Sequence, residues 1–332
     1  MTGRKITFAR RCVQVLSFAA ILYGAFIYPH QLESPLVPIE PGTPRTTLYA
    51  RDRILWVSGK ECVIELYLPV LACRFIARGG TFKSCSLHLL SENFTWRTSL
   101  ELLLPHVTFV AVLAFLFARG WCGWVCPLGA IEDAMGWLRQ RLRVGPWAVS
   151  SDWAGLFGGL RHLLLWLSLA IAPLIALPAL GRTGVNDSLF LVYCQICPSR
   201  LIYPPLGGVN PCWYDFTNGA TIFLTLLGWA ALGVFVLSSM APRLWCRLCA
   251  VGALLSYFNR GGMMTLEKNA RRCNSCGTCR RVCALDVERV YRDRENPVVT
   301  DSQCTLCGRC VEACPQADCL SLRFAGKPLV RS

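Results

Sequence analysis

The chain has 332 residues, 54% of them hydrophobic and only 16% charged, with a mean hydropathy of +0.42. Soluble domains average about 25% charged residues, so these values exclude an ordinary cytosolic enzyme and equally a disordered tail. The net charge is +14, from 34 Lys and Arg against 20 Asp and Glu. In so apolar a chain this excess points to basic cytoplasmic loops and not to nucleic acid. The 20 cysteines exceed chance, and the chain is too long for a small disulfide scaffold.

Four stretches lack charge over most of a bilayer crossing, which takes about 20 apolar residues. They are residues 13–28, 102–118, 163–180 and 220–240. Pro173 and Pro178 in the third predict a kink and not a break, because membrane helices tolerate proline. A fifth stretch, residues 63–77, contains Glu65, Pro69 and Arg74 and reads as an interfacial or re-entrant segment, with five spans as the rival count.

Lys and Arg in the short loops set the orientation. Arg4, Lys5, Arg10 and Arg11 precede the first span, Arg119, Arg139, Arg141 and Arg143 follow the second, and Arg243, Arg247 and Arg260 follow the fourth. Between the third and fourth only Arg182 and Arg200 are basic, matched by Asp187 and Asp215. Both termini are therefore expected in the cytoplasm, in a multi-pass protein of the inner membrane. The loop 29–100 would lie outside despite its eight basic residues, since loops beyond about 60 residues weigh little in this rule. Arg10-Arg11 ahead of an apolar run also resembles a twin-arginine signal. No small-x-small cleavage site follows Ile27, which favours an uncleaved first helix.

The sharpest motif lies near the C-terminal end. Cys273, Cys276, Cys279 and Cys283 form one C-x2-C-x2-C-x3-C run, and Cys304, Cys307, Cys310 and Cys314 form a second that ends in Pro315. A cubane needs thiolates at its corners, and one tight loop delivers three of them. The spacing resembles a bacterial two-cluster ferredoxin, in which the fourth Cys of each run serves the other cluster. The resemblance assigns Cys273, Cys276, Cys279 and Cys314 to one [4Fe-4S] cluster, and Cys304, Cys307, Cys310 and Cys283 to the other. Zinc is the alternative for paired C-x2-C, but four cysteines per run favour iron–sulfur. Ala284 stands where a proline is usual after the first run; that proline is not a ligand. Gly277 and Gly308 sit between ligands, where a small residue lets the backbone wrap closely. Arg271, Arg272, Arg280 and Arg281 flank the first run. They suit anchoring to anionic lipid, stabilising reduced clusters, or docking an acidic partner.

Two further pairs end the second and fourth spans: Cys122 with Cys126, and Cys246 with Cys249. They share the frame R-x-W-C-x(2,3)-C-[PA]-x-G-A-[IL], beginning at Arg119 and at Arg243. This internal repeat suggests two helix-pair halves. Trp121 and Trp245 precede the first Cys of each pair, a residue type that favours the membrane interface. The four thiols are open to three roles: a further [4Fe-4S] cluster, redox-active dithiols, or packing as small hydrophobes.

These motifs together resemble the NapH/MauN type of membrane polyferredoxin, to which NosR and CcoG are related. The resemblance implies electron transfer from membrane quinol, or from a cytoplasmic donor, towards another redox protein. The second pair here is C-x2-C-A and not C-x3-C-P, a departure from that pattern.

Cys194 and Cys197 lie in the short outer loop with Cys212, and Cys62, Cys73 and Cys85 in the long one. They are open to disulfides, expected outside the cell, or to another cluster. Cys12 and Cys319 are expected to be unligated. No C-x-x-C-H motif for haem attachment occurs, nor any Rossmann or Walker A motif.

The expected architecture is an all-α membrane domain of four transmembrane helices (1–260) carrying a C-terminal α+β two-cluster ferredoxin-like domain (261–332), joined near residues 259–268. The expected function is membrane-bound iron–sulfur electron transfer. Its partners would be lipid, the quinone pool and another redox protein, and not nucleic acid. Whether the chain is the quinol-oxidising component of a dehydrogenase or solely a carrier stays open at this level. So do a maturation role for another enzyme's metal centres or thiols, and a redox-sensing binding module.

Overall fold

The computed structural model describes residues 5–27, 66–71, 82–93, 100–147, 149, 151–175, 192–206, 216 and 219–332. Its helices are α1 (Lys5–Ile27), α2 (Ser86–Asn93), α3 (Leu100–Phe117), α4 (Gly120–Trp124), α5 (Pro127–Arg141), α6 (Ser151–Ile175), α7 (Val192–Ile196), α8 (Ser199–Leu206), α9 (Gly219–Leu237), α10 (Leu244–Leu248), α11 (Ala250–Ser256), α12 (Thr278–Arg281), α13 (Arg289–Arg292) and α14 (Arg309–Ala313). The strands are β1 (Leu66–Leu68), β2 (Phe82–Cys85), β3 (Met264–Lys268), β4 (Leu320–Phe324) and β5 (Lys327–Arg331).

Three helices are long and apolar enough to cross a membrane, over Lys5–Tyr23, Trp153–Ile171 and Gly219–Leu237. In α9 the buried residues Thr221, Leu224, Gly228, Ala231 and Phe235 recur every three or four positions, one face of a helix. The other face carries Phe223, Leu226 and Val236, all more than half exposed, as a lipid-facing surface requires. The first and third expected spans start too late. The first apolar helix takes in Arg10, buried by ion pairing inside the fold. The third begins at Ser151 and ends at Ile175 with Pro173 in its last turn; Pro178 lies outside the described residues. The second expected span is α3, an 18-residue helix whose apolar part, Leu104–Phe117, is shorter than the other three. The described part of the fifth stretch holds a strand: β1 pairs in parallel with β2.

Contacts divide the chain into two compact units. One comprises Met1–Phe18, Ala111–Arg161 and Leu237–Ser332; the other comprises Ala19–Val110 and His162–Val236. In the second, Gly228 of α9 lies where an added Cβ would come within 3.0 Å of the Gln195 carbonyl, the close approach that small residues permit between membrane segments.

The first unit takes in residues on both sides of 260. β3, β4 and β5 form an antiparallel sheet in that order. Met264, Leu266, Leu320 and Leu322 face its core together with Ile6 of α1, Ala118 and Cys246. The ferredoxin-type segment thus shares one hydrophobic core with the N-terminal helix and with the segments that carry the paired cysteines. That shared burial holds them as one body.

Candidate metal centres

Both C-terminal runs bend the backbone in the same way. Ser275 and Leu306, just before the second Cys of each run, have φ of 60° and 49°, and Gly277 and Gly308, just after it, have φ of 72° and 74°. These glycines begin α12 and α14, which carry Cys279 and Cys310. Glycine takes this left-handed conformation without steric cost, so the turn itself demands it. At Gly308 a Cβ would also meet Ile6 of α1 at 2.9 Å.

A cavity inside the core is lined by Cys283, Cys304, Cys307 and Cys310, with Cys279 beside them and aliphatic side chains of β3 and β4. Three thiols of the second run and the last thiol of the first therefore share one space. Burial pushes the Cys310 thiol well up, and the neighbouring Cys304, Cys307 and Cys283 add to it. Cys307 is different. Burial raises it, but Arg10, Arg309 and Arg243 outweigh that and hold it below its ordinary value.

The second C-terminal set is more open, with Cys276 exposed. Its members are linked through Cys319, a buried thiol pushed up to about 12 by burial and by Cys314 and Cys273. Cys319 lies within side-chain reach of both, and all three are free thiols, so Cys314 lies on the side of the first run. Cys319 was expected only to be unligated.

The repeated frame is repeated in space. Each copy is a short helix, a cysteine in extended conformation and a second helix. Cys126 (φ −60°, ψ 120°) joins α4 to α5, and Cys249 (φ −65°, ψ 121°) joins α10 to α11. In the first copy the fold-back requires the frame's glycine, since a Cβ on Gly129 would come within 2.8 Å of the Cys122 carbonyl. In the second, a Cβ on Gly252 would stand 3.1 Å from Arg119 Nη2 and in ordinary contact with the Cys246 carbonyl at 3.7 Å. All four thiols, Cys122, Cys126, Cys246 and Cys249, are buried. Cys246 Sγ donates to Glu132 Oε2 at 2.7 Å. Burial and Glu132 push that thiol well up, and burial raises the Glu132 carboxyl in turn.

The paired cysteines lie against the second C-terminal run. A Cβ on Gly123 would stand 2.4 Å from the Thr305 carbonyl and 3.5 Å from Cys307 Cβ. Trp124 Nε1 donates to the Leu306 carbonyl at 3.0 Å, and Asn259 Nδ2 donates to the Cys304 carbonyl at 2.7 Å. Trp245 is 3% exposed; it packs inside the protein and not at a lipid interface.

Sequence reasoning missed the charges in between. Arg10, Arg119, Arg139, Arg161, Arg243 and Arg247 are all buried, whereas Glu132 is the only acid buried to the same degree among the described residues. Arg119, 1% exposed, donates to the carbonyls of Cys246 and Ser302, each at 3.1 Å. Its Nε, together with Nε and Nη1 of Arg161, has no hydrogen-bond partner among the described residues. Arg cannot shed its proton, and a buried charge without a counter-charge is costly. The thiol sets are the groups that can become anionic here. Orphaned guanidinium nitrogens beside sulfur donors suit a thiolate-ligated cluster, which carries net negative charge. The signal for Arg119 and Arg243 was their fixed place at the head of the frame.

Of the cysteines expected outside, Cys85 ends β2 and is buried, and Cys194 lies in α7. Cys197 follows α7, with its Sγ 3.3 Å from Ser199 Oγ. Cys62, Cys73 and Cys212 lie outside the described residues.

Two protein families match. One, described as a 4Fe-4S binding domain, matches residues 102–145 and again 221–266, the two copies of the frame. The other, described as a 4Fe-4S dicluster domain, matches residues 265–315. Among curated proteins, an uncharacterized protein of Methanocaldococcus jannaschii is 25% identical over 239 residues, covering 71% of this chain and 85% of that one. The ferredoxin-type protein NapH of Escherichia coli K12 is 29% identical, over 63% of this chain and 65% of its own. The methylamine utilization ferredoxin-type protein MauN of Methylobacillus flagellatus is 29% identical, over 52% of this chain and 51% of its own. The chain thus spans about half to two thirds of NapH and MauN and resembles both as a 4Fe-4S polyferredoxin. No solved structure matches it significantly.

Proposed function

We propose that this chain is a membrane-bound electron carrier with three cysteine-ligated [4Fe-4S] sites, passing electrons between the quinone pool or a cytoplasmic donor and a partner redox protein. Cys122, Cys126, Cys246 and Cys249 hold one cluster; Cys283, Cys304, Cys307 and Cys310 hold the second; Cys273, Cys276, Cys279 and Cys314 hold the third. When bound, the clusters supply one-electron transfer at potentials that their surroundings set.

The observation that carries the reading is the set of buried arginines beside these thiols. A disulfide or a packed thiol is neutral and leaves Arg119 buried with only carbonyl partners. Four thiolates on a metal core supply the missing negative charge. The Gly123 contact with Thr305 and Cys307 supports a continuous line of sites, from the paired cysteines through the enclosed set to the exposed Cys276 end.

On this reading α3 makes the fourth crossing and both termini are cytoplasmic. A groove between α1 and α5, lined by Gln14, Val15, Phe18, Ala130, Ile131 and Trp137, offers a lipid-soluble quinol an approach to this unit. Gln14 in its wall donates to the Gly123 carbonyl at 3.1 Å, beside Cys122.

Iron and acid-labile sulfide in the protein purified anaerobically in detergent test the proposal. About twelve iron atoms per chain are expected, four for each cluster. Cys126→Ala should remove about four of them and leave the EPR signals of the C-terminal sites in place. About eight irons in the intact protein, with redox-dependent alkylation at Cys122 and Cys246, would replace the third cluster by dithiols. Zinc alone would overturn the whole reading.

A further inference from the structure

The two C-terminal cysteine sets differ in the charge around them. Beside the enclosed set, Asp133 of α5 gathers three arginines from distant parts of the chain. Arg243 donates to it through Nε at 3.0 Å and Nη2 at 2.7 Å. Arg309 Nη2 lies at 2.8 Å and Arg10 Nη1 at 3.5 Å. Arg10 and Arg243 are each 2% exposed and Asp133 only 11%. Three cations on one anion leave a net positive charge. It faces the second run directly, since Arg243 Nη1 reaches Thr305 Oγ1 at 3.4 Å and Arg309 is adjacent to Cys310.

The open set has cations too: Lys268, buried but bonded to the carbonyls of Val290, Tyr291 and Asp293, and arginines that are exposed, two of them matched by acids. Arg272 pairs with Asp318 at 2.9 Å and Arg280 with Glu288 at 2.9 Å, with every side chain more than a third exposed. Water and salt screen such pairs, whereas a buried charge acts through a low-dielectric interior.

Reduction adds one electron to a centre that is already anionic. Burial by itself disfavours that added charge, and a fixed neighbouring positive charge offsets it. We propose that Arg10, Arg243 and Arg309, held in place by Asp133, raise the reduction potential of the centre ligated by Cys283, Cys304, Cys307 and Cys310. The three arginines favour its reduced form, and Asp133 both positions them and limits their effect. The inference rests on the iron–sulfur reading above and adds which residues of this chain poise one centre.

An EPR-monitored redox titration of the intact protein in detergent tests it, with the relevant signal identified as the one lost in Cys304→Ser. Absence of such a signal in the unsubstituted protein sinks the iron–sulfur reading itself, and this inference with it. With the signal present, Arg309→Gln should shift its midpoint to lower potential and Asp133→Asn to higher, while Arg309→Lys stays near the unsubstituted value. The midpoint of the Cys276-containing centre should not move in any of them. Opposite signs cannot come from general loosening, which would move both variants the same way. Shifts of one sign, or none, overturn the proposal. Should Asp133→Asn not accumulate, Arg309→Gln against Arg309→Lys decides alone: a partly exposed arginine whose charge is irrelevant would give equal midpoints.

Discussion

Arg119 and Arg243 show how a residue's meaning changes between sequence and fold. In the sequence they count as basic loop residues that orient the chain. In the fold they are 1% and 2% exposed, one spanning the carbonyls of Cys246 and Ser302 and the other clamped on Asp133. Asp133 is the counterpart that no motif announces. Burial raises its carboxyl, but Arg243, Arg309 and Arg10 prevail and hold it well below the usual carboxylate range. A carboxyl lowered in the folded state adds stability that is fully present above its unfolded value, about 3.9. That stability is lost as pH falls through the folded value. Asp133→Asn should therefore cost about 3–5 kcal/mol at neutral pH, because it leaves buried arginines without their anion. The gap should stay level down to about pH 5 and narrow below about pH 4. Urea unfolding followed by tryptophan fluorescence across that range checks it, and a gap that widens in acid would contradict the assignment.

At the scale of elements, the helix–cysteine–helix elbow is the repeated unit. Its first helix is only five residues long in each copy, too short to be stable alone. Its second helix is anchored by what begins it: Pro127 in the first turn of α5, and Cys249 at the cap of α11, where Sγ accepts from Gly252 N at 3.4 Å. Cys249 therefore has a structural role apart from metal binding, and the two roles can be separated. Serine is a favoured cap and alanine is not, a difference of about 1 kcal/mol. After removal of iron by chelation, Cys249→Ser should melt with the unsubstituted protein and Cys249→Ala should be weaker by roughly that amount. Both should lose the same iron, about four atoms. Circular-dichroism melts and iron assays report the two effects independently. Equal melting of both variants would show that the cap contributes nothing.

At the scale of the molecule, the ferredoxin-type segment is not an appendage. Ile6 of α1 packs in its core, Glu312 of α14 accepts from Thr7 N at 3.2 Å, and Arg309 meets Asp133 of α5. The N-terminal end of α1 and the last sixty-odd residues therefore share a compartment. In the proposed orientation that compartment is the cytoplasm. A fluorescent reporter fused after Ser332 should mature, and alkaline phosphatase fused there should be inactive. Active phosphatase would invert the topology for both ends together, because one hydrophobic core cannot be split by a bilayer.

The sequence by itself determined the two cysteine runs, the repeated frame, the apolar helices and the iron–sulfur class. Each is written in residues a few positions apart, and local spacing suffices to bring thiols onto one loop or to fill one helix face. The glycines were legible as well, and the structure adds that Gly277 and Gly308 are required by a positive φ and Gly123 by the Thr305 carbonyl. The exchange of last cysteines between the runs was already implied by the resemblance; only the tertiary structure decided that the paired cysteines abut the second run and that α1 enters the same core. It alone revealed the convergence of Arg10, Arg243 and Arg309 on Asp133, residues separated by more than a hundred positions in most pairings. Burial is a property of packing and not of spacing, and the energy of a charge depends on what surrounds it in space.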